Sequence, residues 1–249
     1  MLYAALTFWL LVIVFSAWGV HWLWSRMIKP RAVNTILLPG TLVAQLGHVM
    51  GLLVTGNSVQ NTTLMGDDDE GEPQSETPEK SRLPVIGPIV IALLPLAACA
   101  LGLYWAAEWW GQGVIARLGE PRVAAALPTS LAAFWALLRE SLTVTESMVN
   151  AIIHADWTQW PTIVFVYLSV CLTVRMTPFE GNRRGAIGAI LFSGLTIGAL
   201  AALIPSIRDF TLQTWPVLSF AVGMLLFLLL ASLLISGVVG LVKILAKNE

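Results

Sequence analysis

Residues 44–48 read Ala-Gln-Leu-Gly-His, inside the apolar stretch PGTLVAQLGHVMG that runs from Pro39 to Gly51. Side chains four apart share one face of a helix. Two imidazoles at that spacing, with a carboxylate beside the first, hold a zinc ion and supply a base (H-E-x-x-H). Here Ala44 stands where the first imidazole would be, Gln45 where the carboxylate would be, and His48 is kept. A methyl group has no lone pair, and a neutral amide does not act as a proton acceptor near pH 7. On a helix, Ala44, Gly47, His48, Gly51 and Thr55 fall on one face, and all but the histidine are small. Gly47 and Gly51 form a G-x-x-x-G pair, which lets a neighbouring backbone come close in lipid. His48 is therefore expected to face a tight protein interior, where a polar group is a functional suspect; the plainer alternative is a hydrogen bond to a neighbouring helix.

Other residues invite chemistry and carry less of it. A replacement zinc site built from His48, His21 and His154 would need the spans threaded quite differently. Ser141, Thr143 and Thr145, with Glu140 and Glu146 nearby, lack a paired base, so a solvated helix end explains them. The GDDDEGE run lacks the alternating ligands and closing Glu of a calcium loop. Gly194 and Gly198 form a second G-x-x-x-G, assigned to helix packing.

The elements that must position these residues are membrane helices. The chain of 249 residues is 57% hydrophobic and 12% charged, with a mean hydropathy of +0.77. Soluble domains carry about 25% charged residues, so the composition belongs to the membrane class. A net charge of −1 excludes a nucleic-acid surface, which concentrates Lys and Arg. Cys99 and Cys171 lie in apolar runs and read as small hydrophobes. The first apolar run has no basic leader and is long for a signal peptide, so a retained span is expected.

About 20 apolar residues cross a hydrocarbon layer. Runs at 3–24, 84–107, 185–206 and 215–242 meet that length, 35–56 and 158–174 are shorter, and 123–138 is short and contains Pro128, so it is either a true span or a re-entrant helix half-buried at the interface. Cytoplasmic loops are enriched in Lys and Arg. Arg26, Lys29 and Arg31 make the first connection cytoplasmic and place the N-terminus outside. The segment 57–83, with seven acids against Lys80 and Arg82, becomes a mobile outer loop. If 123–138 crosses, Arg175, Arg183 and Arg184 return to the cytoplasm. A seven-span threading thus satisfies the charge rule throughout and is favoured over six. Eight tryptophans near span ends, Trp215 among them, are expected in an interfacial belt. The expected fold is all-α: a single polytopic transmembrane bundle, with no internal repeat.

Three pieces, in order, carry a resemblance: PGTLVAQLGHVMG, the mid-span LLPL of residues 93–96, and YLSVCLTVRMTPFEGNRRGA from Tyr167 to Ala186. Together they resemble the site-2-protease-like intramembrane zinc metalloproteases, over about residues 37–200. The resemblance implies zinc-ligand positions at Ala44, His48 and Asn182, with Glu180 in a shifted alignment, and the general-base position at Gln45. It implies that this chain keeps the scaffold without the zinc motif, since a catalytic zinc needs three protein ligands. The expectation is a catalytically inactive membrane protein with no cofactor, acting as accessory subunit or regulator of another integral membrane protein in a bacterial inner membrane, its motif near the cytoplasmic side. An active zinc protease using His48 with displaced ligands such as Glu180 and His154 is the alternative. A transporter or channel comes third, because no clear span carries a charge and no pair of broken helices is evident.

Overall fold

The computed structural model describes residues 2–56, 86–119, 122–176, 188, 190–192, 194–199 and 205–247. Its elements are α1 (Leu2–Met27), α2 (Pro30–Ile36), α3 (Leu38–Val54), α4 (Ile86–Trp109), α5 (Gln112–Ile115), a 3-10 turn (Ala116–Leu118), α6 (Leu131–Ile153), α7 (Trp160–Val174) and α8 (Pro205–Lys247). Residues 188, 190–192 and 194–199 are also helical, and no strand occurs among the described residues. The fold is all-helical. Among the described residues three stretches are long and apolar enough to cross a membrane: Leu2–Met27, Ile89–Trp109 and Arg208–Val239. The acidic stretch 57–83 lies outside the described residues.

Proline and small residues explain several boundaries. Prolines sit in the first turns of α2, α3 and α7, where a missing N–H costs nothing. α3 and α4 pack through glycine. A Cβ on Gly47 would lie 2.6 Å from the Leu94 carbonyl oxygen and 2.8 Å from Pro95 Cα, and one on Gly51 would lie 2.9 Å from Ile91 Cα. These pairs descend along α4 as they climb α3, so the two helices are antiparallel. On the opposite side of the chain, Gly194 packs on Thr7 and Gly198 on Tyr3 of α1.

α7 also runs against α4. Arg175 meets Cys99, Leu172 meets Gly102, and the Phe165 ring meets Gly111. The chain between α4 and α7 therefore returns to the end of the bundle it left, and the seven-span threading is not the observed one. Residues 123–138 do not form one helix: 122–130 is non-helical, and α6 starts only at Leu131, where Ser130 Oγ accepts from Ala133 N–H at 3.1 Å.

The physical reason is a strap. Trp9 Nε1 donates to Ala124 O at 2.8 Å, and Trp215 Nε1 donates to Val123 O at 2.8 Å. Val123 N–H donates to Ser219 Oγ at 3.2 Å. Backbone groups held in apolar surroundings must be paired, and here side chains of α1 and α8 replace the helical partners. Trp215, expected at the water boundary, is instead buried and bonded inward. α6 then carries Arg139, Glu140 and Glu146, all exposed. A charged side chain at mid-bilayer costs roughly 2.5–3.5 kcal/mol on insertion scales, a second reason that this segment does not cross.

Candidate functional site

The candidate site is the start of α3 with the ends of the helices that meet it. α2 and α3 are almost continuous, broken at Leu37, a single turn residue. The break frees the Ile36 carbonyl and the Gly40 N–H from each other. The carbonyl finds partners on α7: Tyr167 Oη donates to Ile36 O at 2.8 Å and Cys171 Sγ donates to it at 3.5 Å. Cys171 thus sits beside the gap. Gly40 allows this closeness, because any Cβ there would overlap the Cys171 carbonyl oxygen.

Arg175 follows the last turn of α7 and is only 7% exposed. Its Nη2 donates to Asn34 Oδ1 of α2, and its carbonyl accepts from Cys99 Sγ at 3.8 Å. Its side-chain stem lies against Gly40, and His21 of α1 is within electrostatic reach of the guanidinium. Five helices therefore converge on this residue. Cys99 is near the middle of α4, so α7 ends about halfway along that helix, whereas α3, whose Val43 lies beside Gly102, begins nearer the α4 C-terminus. At 1.5 Å per residue the 15 residues of α7 and 17 of α3 are about 22 and 25 Å long, short of a ~30 Å hydrocarbon layer. Two short helices meeting end to start, with a cation between them, is the broken arrangement that the apolar runs do not suggest. Arg175, counted as a loop charge, is an interior residue.

One to two turns above Gly40 are the motif positions. Ala44, Gln45 and His48 are all buried, Gln45 at 3% and His48 at 4% exposure. Among the described residues neither Nε2 nor Oε1 of Gln45 has a hydrogen-bond partner, an expensive state for a buried amide. Asn182 and Glu180, the other two positions that the resemblance nominates, lie outside the described residues. The three histidines are not gathered. His154 is exposed at the end of α6, its Nδ1 2.9 Å from Asn150 O. Among the described residues no three His, Cys, Asp or Glu side chains stand close enough to hold a metal ion. The donors on α3 itself do not fit a catalytic zinc: one imidazole, a methyl group and an amide cannot supply three ligands.

Sequence reasoning missed Arg175, Asn34, Trp9 and Ser219. The one visible signal was Arg175 abutting the apolar run CLTV without a polar spacer. Compared with protein-family models, with curated proteins and with solved structures, the chain matches none.

Proposed function

We propose that the chain is a non-catalytic integral membrane protein on a site-2-protease-like scaffold, which binds another membrane protein as accessory subunit or regulator. One observation carries this: Ala44 and Gln45 are buried beside His48 on α3, so a methyl and an amide occupy the interior positions where the resemblance puts a ligand and a base. Losing a general base alone removes about 10² to 10⁴ in rate, and losing the metal removes the activated water as well. The small-residue seam between α3 and α4 supports a scaffold retained for packing. The finer placement is a bacterial inner membrane, with Arg26, Lys29 and Arg31 at the cytoplasmic face, the N-terminus outside and the start of α3 near the cytoplasmic side. The three basic residues of the first connection support it.

The test uses protein purified from native membranes in mild detergent and washed with chelator. It should carry no stoichiometric zinc and should co-purify with a second integral membrane protein whose mass does not change on incubation. Zinc near one per chain, or cleavage of the partner that stops in His48→Ala, overturns the proposal.

A further inference from the structure

α6 presents three stripes along its axis. Leu137, Ser141, Val144, Thr145, Met148 and Ala151 are buried, with Val144 and Met148 packed on Gly223 of α8. A second stripe, Leu131, Phe134, Trp135, Leu138 and Leu142, is apolar and exposed. The third, Arg139, Thr143, Glu146 and Asn150, is polar and exposed. At 100° per residue the second and third lie side by side, roughly a quarter turn apart, and both run with the helix axis. From Arg139 to its end the outer surface of α6 is thus divided lengthwise, with Leu142 and Ile153 on the apolar side and Thr143, Glu146 and Asn150 on the polar side, while before Arg139 it carries no charge. A helix crossing a bilayer meets the water boundary across its axis, at its ends. A lengthwise boundary belongs to a helix lying in the plane of the interface.

We propose that α6 rests in the phospholipid surface, its Leu131–Leu142 stripe seated at the headgroup–acyl boundary and its Arg139–Asn150 stripe in water. Two further observations fit this occupant. The segment joining α4 to α7 returns to the end of the bundle it left, so α6 is not a crossing. Its exposed aromatic ring Trp135 is joined by exposed Trp157 and Trp160 just beyond the helix, residue types that settle at the headgroup level. Arg139 against Glu140 and Glu146 leaves no excess of positive charge, so zwitterionic lipid should serve as well as anionic lipid. The proposal rests on the membrane reading above and adds a partner surface to it.

The full chain, reconstituted in phosphatidylcholine vesicles, tests this with single spin labels at Leu131→Cys, Trp135→Cys, Leu142→Cys, Thr143→Cys and, in α1, Phe15→Cys. The native cysteines are buried, and protein without an added cysteine sets the background. Labels at 131, 135 and 142 should share one shallow depth and collide with oxygen more than with a water-soluble nickel complex, while the label at 143 shows the reverse. A crossing helix would advance about 1.5 Å per residue, separating 131 from 142 by ~16 Å in depth, and that result sinks the proposal. Immobile labels at 131, 135 and 142 shielded from both reagents would mean a protein covers the stripe, and also sink it. The Phe15→Cys label separates the two failures: deep in the bilayer it keeps the membrane reading, and exposed to nickel it removes both.

Discussion

Among the described residues the chain leaves helical geometry inside apolar surroundings at two places, and the repairs differ. At the Leu37 break, the freed Ile36 carbonyl is served by Tyr167 and Cys171 from one neighbouring helix, and room comes from glycine. At the 122–130 strap, two indoles and a serine from two flanking helices serve Val123 and Ala124, and room comes from the length of the tryptophan side chain. The first repair needs the helices close; the second keeps them apart. The knot around Gly40 should thus fail by overcrowding and the strap by loss of a donor.

The sharpest way to break that contrast is at Gly40. Gly40→Ala sets a methyl on the Cys171 carbonyl, which is backbone and cannot turn aside. We expect a loss of about 3 kcal/mol, the upper part of the overpacking range, read by denaturant unfolding in detergent micelles. Gly102→Ala is the control: its Cβ would meet Leu172 methyls at 3.4 Å, an ordinary contact, so the better helix propensity of alanine should leave it neutral or stabilise it by about 0.5 kcal/mol. Equal losses for both would show that close approach at the knot is not special.

Asn34→Ala should follow in size. It removes the acceptor for the buried Arg175 guanidinium, and a hydrogen bond to a charged group contributes about 1.5–3 kcal/mol. Asn34→Asp keeps an acceptor and should recover most of the loss. Trp215→Phe addresses the strap in the same way. It keeps the ring and strips Val123 O of its donor, costing about 1–3 kcal/mol for a buried unpaired carbonyl, with Trp9→Phe smaller because its bond to Ala124 O is only partly buried. If Trp215→Phe unfolds like wild type, the strap is held by packing and the contrast between the two repairs collapses.

Much of the helical content was legible from apolar runs. α1 and α4 fall where runs 3–24 and 84–107 place them, because a long run without charge has one stable form in lipid. The predicted span at 123–138 failed for a reason absent from the local sequence: the partners that let 122–130 stay extended, Trp9, Trp215 and Ser219, are about 90 to 115 residues away. Arg175 was misjudged likewise. It looks like the first residue of a basic loop, and only the fold shows Asn34 and Gly40 waiting for it. In the motif itself, the residue types at 44, 45 and 48 could be read directly, whereas the unpartnered state of the Gln45 amide could not.

Ser130→Ala sharpens the comparison at the point where the strap turns back into helix. Its side chain caps α6 by accepting from Ala133 N–H, and losing such a cap costs about 1 kcal/mol. Hydrogen exchange at the first turn of α6 should quicken while α7 is unchanged; acceleration spread through both would mean that the cap holds more than its own helix.

The smallest effect lies past the other end of α6. Asp156 Oδ1 accepts from Thr158 Oγ1–H at 2.6 Å and from Thr158 N–H at 3.1 Å, and Oδ2 accepts from Gln159 Nε2 at 2.9 Å. The Thr158 hydroxyl above all, then its amide, holds this carboxyl below its ordinary value. The unfolded chain, with an aspartate pKa of about 3.9, then takes up its proton before the folded one. The stability the turn contributes is fully present above that pH and is lost as pH falls through the lower folded value. The carboxyl is fully exposed, so water and salt screen the effect. Wild type should melt slightly above Asp156→Asn at pH 7, and the gap should close on acidification below pH ~3.9. A gap that widens on acidification would mean that Asp156 is held protonated in the fold, and the hydrogen bonds from Thr158 and Gln159 would then have to be reassigned.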